Sequence, residues 1–144
     1  MQIEKEPRIL AILCKWCSYA GADFAGTSRF TYPANVRIVQ VPCSGRVDPI
    51  MIFKSFVEGY DGVMVSGCHP GDCHYGTGNY HARRRIAVAR RLLEFVGVHP
   101  DRMHFTWISA AEGKKFAEVC SQFTEKLKML SGTEKTLARK ELAT

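Results

Sequence analysis

The chain has 144 residues, 46% hydrophobic and 24% charged, which is enough to bury one core of ordinary size and argues against a disordered chain. Its formal net charge of +6 admits nucleic acid, an acidic protein face or a phosphate-bearing ligand as partners. No apolar run is long enough to span a bilayer and no export signal is recognisable, so the chain is expected to be cytoplasmic, without a membrane partner.

In chain order, RILAIL (8–13) is a short apolar run that reads as a buried strand, and VRIVQV (36–41) reads the same way. Asp48 and Pro49 then have the character of an N-cap and a first helical residue, with Ile50, Phe53 and Val57 at helical spacing and Gly59 as the stop. DGVMVSG (61–67) is a third buried strand. A glycine-rich loop follows. Ile86, Ala89, Leu93 and Val96 then recur at helical spacing, with Arg83, Arg84, Arg85, Arg90 and Arg91 mainly on other faces. MHFTWI (103–108) is a fourth strand. Ser109 and Glu112 have the S-x-x-E spacing of a capping box before a last helix, whose stripe is Phe116, Val119, Cys120, Phe123, Leu127 and Leu130. Residues 131–144 are polar and read as a C-terminal extension to a domain spanning 1–130. Strands alternating with helices predict one three-layer α/β domain, with a mostly parallel sheet of about four strands and helices on both faces.

Six cysteines in a chain of this kind point to metal or redox chemistry rather than to a disulfide framework. Their placement is the informative feature. Cys14 and Cys17 follow the first strand, Cys43 the second, and Cys68 and Cys73 the third. A parallel sheet puts all five at the carboxyl ends of its strands, the edge where such folds build sites. Cys120 instead falls on the apolar stripe of the last helix and is expected in the core. GTGNYH (76–81) lacks the third glycine of a dinucleotide loop.

Three chemistries remain open at this point. An iron–sulfur cluster and structural zinc both take four thiolates, and a thioredoxin-like dithiol would use Cys14 and Cys17 alone. His69 and His74 are candidate ligands, although donation of hydrogen bonds to sulfur or backbone is the commoner role. Gly67, Gly71, Gly76 and Gly78 are expected to let backbone approach the sulfurs. A nucleic-acid role for the arginine helix is disfavoured, because only Tyr75 and Tyr80 stand near it for stacking.

The stretches CKWCSYAGADFAG (14–26), YPANVRIVQVPCSGRVDP (32–49) and GCHPGDCHYGTGNYHARRR (67–85) together resemble the delta subunit of methyl-viologen-reducing hydrogenase, an iron–sulfur subunit of methanogens and related anaerobes. The resemblance spans about residues 8 to 130. It implies a non-catalytic subunit carrying one 2Fe–2S cluster on Cys14, Cys17, Cys43, Cys68 and Cys73. It also implies electron relay from a hydrogenase (through its small subunit), or from a formate dehydrogenase, to the flavin subunit of heterodisulfide reductase. Four ligands are needed and five thiols are present. The two close-spaced pairs, Cys14/Cys17 and Cys68/Cys73, on adjacent first and third strands, are the expected ligands, with Cys43 on an outer strand as the spare.

Overall fold

The structure, a computed structural model, describes residues 6–130; the expected polar extension at 131–144 lies outside them. Four strands form one all-parallel sheet: β1 (Ile9–Cys14), β2 (Val36–Val41), β3 (Gly62–Gly67) and β4 (Met103–Trp107), in the spatial order β2-β1-β3-β4. The order reverses between β1 and β3, so the loops after these two strands diverge and leave the crevice in which doubly wound sheets place ligands. Helices α1 (Ser18–Thr27) and α4 (Gly113–Met129) cover one face, and α2 (Pro49–Val57) and α3 (Gly78–Phe95) the other.

Strand alternation supplies each face with its core. Ile12, Val63 and Val65 point to α2 and α3, where Ile52, Phe56, Ile86, Ala89 and Leu93 meet them. Ala11, Leu13 and Met64 point to α1 and α4, against Ala22, Ala25, Phe116, Cys120, Phe123 and Leu127. The expected stripes of α3 and α4 are those buried. That of α2 is not: Ile50 and Val57 are exposed, and the inward side chains are Ile52 and Phe56, with Phe53 partly buried. Asp48 does cap this helix, accepting a hydrogen bond from the Ile50 N–H at 2.9 Å.

The capping box also differs from expectation. Helix α4 begins at Gly113, and no side-chain cap bonds its first turn. Only one half of the motif forms, with Ser109 N–H donating to Glu112 Oε1 at 3.0 Å. The half that fails is the serine's: the Glu112 N–H bonds the Ser109 carbonyl rather than its hydroxyl, while the Glu112 carboxylate also bonds His69.

Cys120 is fully buried in the α1/α4 layer, and burial pushes its thiol up to about 12. It therefore acts as a small apolar side chain. Cys120→Ser is expected to destabilise the fold by about 1–3 kcal/mol by burying a hydroxyl, with no change in bound metal. Denaturant unfolding alongside metal analysis checks both halves.

Candidate metal centre

The strand register brings the thiols together. Cys14 ends β1 in register with Val41, the last residue of β2, so Cys43 lies two residues beyond the same level. Leu13 pairs with Ser66, which puts Cys68 just past the adjacent end of β3. The sulfurs of Cys14, Cys17 and Cys68, all buried, lie within 4.8 Å of one another, and Cys14 Sγ is 3.8 Å from Cys68 Sγ. Partly buried Cys73 packs on this trio. Cys43 Sγ is 3.9 Å from Cys73 Sγ and accepts a hydrogen bond from the Gly45 N–H at 3.4 Å. Thus all five thiols expected at the carboxyl edge converge there, while Cys120 stands apart.

Backbone N–H groups face these sulfurs. The Cys17 thiol donates to the Cys14 sulfur and holds that thiol low; burial opposes this, and the Trp16 N–H assists. Cys17 is correspondingly raised by Cys14 and by burial. Burial would push Cys73 up, but the N–H groups of Asn79, Tyr75 and Gly78 outweigh it and keep the thiol below its ordinary value. Two of these three belong to the first turn of α3, so the positive end of that helix meets Cys73. Burial is the main influence on Cys43 and Cys68, and raises both. The donor set among the described residues is sulfur alone in a largely dry pocket, which suits a soft, thiophilic metal or cluster.

Neither histidine side chain is aimed at sulfur, although the His74 N–H donates to Cys68 as expected of such a residue. His69 joins Glu112 and so ties the loop after β3 to the start of α4. His74 stacks on Trp16 with ring centroids 3.8 Å apart and planes at 11°, which clamps the loop of Cys73 onto the C-x-x-C turn. Of the glycines, Gly78 meets the expectation of close approach to sulfur, since a Cβ there would overlap Cys43 Sγ; Gly67 is closely approached too, but by Ser44, whose Oγ would lie 2.5 Å from its Cβ. Gly71 and Gly76 serve their turns through positive φ and have nothing near them.

Three residues with no signature in the sequence also shape the site. Buried Asn79 donates through Nδ2 to the carbonyls of Cys68 (3.1 Å) and His69 (3.0 Å). Arg85 donates to the Gly45 carbonyl and fastens the Cys43 loop to α3, so one member of the arginine run has a structural task. Ser18 Oγ lies 3.4 Å from Cys17 Sγ. The Asn79 and Arg85 contacts cross between elements, where spacing does not reach, whereas Ser18 simply neighbours Cys17 in the chain.

The Glu112 bracket carries a pH signature. The Ser109 N–H leads in holding this carboxyl down to about 2; burial opposes it, and His69 and Lys115 reinforce it. A folded value below the ordinary 4.5 means that the stabilisation is complete above about 4.5 and is lost as pH falls towards 2. Glu112→Gln is expected to flatten this acid limb in an unfolding series from pH 6 to about 2, leaving the neutral side unchanged in slope.

The chain matches the family described as methyl-viologen-reducing hydrogenase, delta subunit, over residues 9–131. It is 49% identical over 130 residues to an iron-sulfur subunit of the F420-non-reducing hydrogenase of Archaeoglobus profundus, covering 90% of this chain and 95% of that protein. It is 46% identical over 125 residues to the vhc iron-sulfur subunit of the F420-non-reducing hydrogenase of Methanococcus voltae, covering 87% of each. A third relative is a subunit of the ferredoxin:CoB-CoM heterodisulfide reductase of Methanosarcina mazei, 39% identical over 138 residues; these are 96% of this chain but only 17% of that protein. With the parallel α/β fold and the convergent thiols in place, the extent of these matches shows that the chain belongs to the methyl-viologen-reducing hydrogenase delta-subunit family.

Proposed function

We propose that this chain is a cytoplasmic, non-catalytic electron-relay subunit that holds one 2Fe–2S cluster through Cys14, Cys17, Cys68 and Cys73. Its donor is a hydrogenase, through the small subunit, or a formate dehydrogenase, and its acceptor is the flavin subunit of heterodisulfide reductase. The observation that carries the reading is the convergence of thiols from three loops at one sheet edge, three of them buried within 4.8 Å of one another and a fourth packed on them. A bound cluster would supply one-electron storage at low cost in rearrangement. The chain's own part is to bury the sulfurs, aim N–H groups at them and keep their loops fixed. The relatives' names support the donor and acceptor classes: two are hydrogenase iron-sulfur subunits, and one is a heterodisulfide reductase subunit containing a similar stretch. No helix among the described residues is long and apolar enough to cross a membrane.

The dithiol reading fares worse. A lowered Cys14 beside a raised Cys17 has the polarity of an attacking and a resolving thiol, yet both are buried and out of reach of an external disulfide. Anaerobic purification tests the proposal. About two irons and two sulfides per chain are expected, with visible absorbance and an EPR signal on one-electron reduction. Stoichiometric zinc in a colourless protein would overturn it.

A further inference from the structure

The outward face of α3 is the surface the relay leaves unexplained. The inward face is Ala82, Ile86, Ala89 and Leu93, all buried. On the opposite side Arg84, Val88, Arg91 and Phe95 follow at i, i+4, i+7 and i+11, the spacing of a straight seam that a second helix can lie along. Phe95 is 90% exposed and Val88 55%, with Tyr80 and Leu92 exposed beside them. Side chains this large and apolar rarely stand in line on a free surface without a partner.

The charges on the seam are as uneven as its hydrophobicity. Helix α3 carries five arginines, no lysine and a single acid, Glu94. Arg85 is spent on the Gly45 carbonyl, and Arg90 lies 3.9 Å from Asp101. Arg84 and Arg91 are exposed and have no ion-pair partner among the described residues. Arginine in place of lysine favours planar, forked pairing with carboxylates. The combination of arginine with aromatic and aliphatic side chains, without lysine, is the composition of protein interfaces. A lipid surface would be served equally well by lysine.

We infer that this face of α3 docks an acidic amphipathic helix of a partner protein, whose apolar side chains cover Val88, Leu92 and Phe95 and whose carboxylates pair with Arg84 and Arg91. The inference rests on the relay reading for the partner's being a protein, and adds where it binds. Helix α3 begins at the thiols, its first turn facing Cys73, and extends about 27 Å from them. A partner seated along it has one end beside the proposed cluster.

The test uses the full chain, tagged and produced in its source cells, with the photo-crosslinker p-benzoylphenylalanine at position Val88. A second preparation carries it at Gly26, on the face covered by α1. Position 88 is expected to crosslink to another protein through a segment in which Asp or Glu alternates with apolar residues at helical spacing, and position 26 is not. Arg84→Glu with Arg91→Glu is expected to cut that yield by about tenfold or more, and Arg84→Lys with Arg91→Lys by much less. Iron content and visible absorbance should match the parent in both, which shows that the fold and thiol site survive. Crosslinks only to a second copy, to lipid or to nucleic acid, no crosslink at 88, or a yield unmoved by charge reversal would each overturn the inference. A colourless zinc protein that still crosslinks through 88 would overturn the relay and leave the docking face standing.

Discussion

Serine at Cys14, Cys17, Cys68 or Cys73 is expected to lower bound iron at least about tenfold, whereas Cys43→Ser keeps most of it. The first three sulfurs lie within 4.8 Å of one another in a buried trio, and Cys73 packs directly on that trio. Cys43 meets the group from outside, through Cys73 at 3.9 Å, and is already engaged by the Gly45 N–H. Loss of any of the four leaves a buried iron short of a thiolate, replaced by a hydroxyl that ionises far less readily. Loss of Cys43 removes a neighbour. Its effect should instead be a modest shift of potential, because a thiol beside Cys73 alters the field at that sulfur. Five single variants, each assayed anaerobically for iron, sulfide and EPR signal, separate this ligand set from one in which Cys43 replaces Cys17. A Cys43→Ser protein without its cluster, beside a Cys17→Ser protein that retains one, would reverse the assignment.

Much of this site is legible in the sequence, because it rests on the two most regular features of the chain. Buried parallel strands such as β1 and β3 announce themselves as short apolar runs, whereas VRIVQV, expected to be buried too, lies at the sheet edge as β2 with Val39 exposed. Cysteines that follow such strands must share one edge of the sheet. The adjacency of β1 and β3, with β2 outside, matches the observed order. What sequence reasoning misses depends on contacts between elements. Helix α1, SYAGADFAGT, has no clear apolar period and two glycines, so nothing local marks it as a helix. Its small residues are chosen by packing: a Cβ on Gly21 would come within 2.7 Å of the Ser109 carbonyl. In α2, six of the nine residues of PIMIFKSFV are large and apolar, so more than one stripe fits the helical period and the tertiary contacts select Ile52 and Phe56. Ser109 and Glu112 obey the capping spacing and form its carboxylate half, but the Glu112 N–H takes the Ser109 carbonyl instead of the hydroxyl, and a histidine 43 residues away shares the carboxylate. The Trp16–His74 stack and the Asn79 bridge are likewise long-range, and no spacing rule reaches them.

Gly78→Ala is expected to disrupt the thiol site severely, against the sign that helix propensity gives. Gly78 is the first residue of α3, and its φ is not among the positive values, so alanine fits the backbone. Judged on propensity alone, the substitution would stabilise the helix by up to about 1 kcal/mol. The surroundings reverse this. The added methyl would overlap Cys43 Sγ and press on Cys73 Sγ at 3.3 Å, and the backbones of Gly45 and Gly78 are themselves closely packed. Relief requires either Cys43 to leave its rotamer or the first turn of α3 to retreat. The second movement also withdraws the Gly78 and Asn79 N–H groups from Cys73 and slackens the Asn79 bridge to the Cys68 loop. Overpacking of this kind costs about 1–3 kcal/mol, and here the strain falls on the thiols themselves. Bound iron should fall at least about tenfold. Gly76→Ala supplies the contrast, since its φ of +89° makes alanine strained while no atom lies within 4 Å of the new methyl. It should lower stability by about 1 kcal/mol and leave iron in place. Cys43→Ala combined with Gly78→Ala opens the space that the methyl needs, and recovery of iron in the double variant would show that the clash with Cys43, rather than a change in the helix, is the cause.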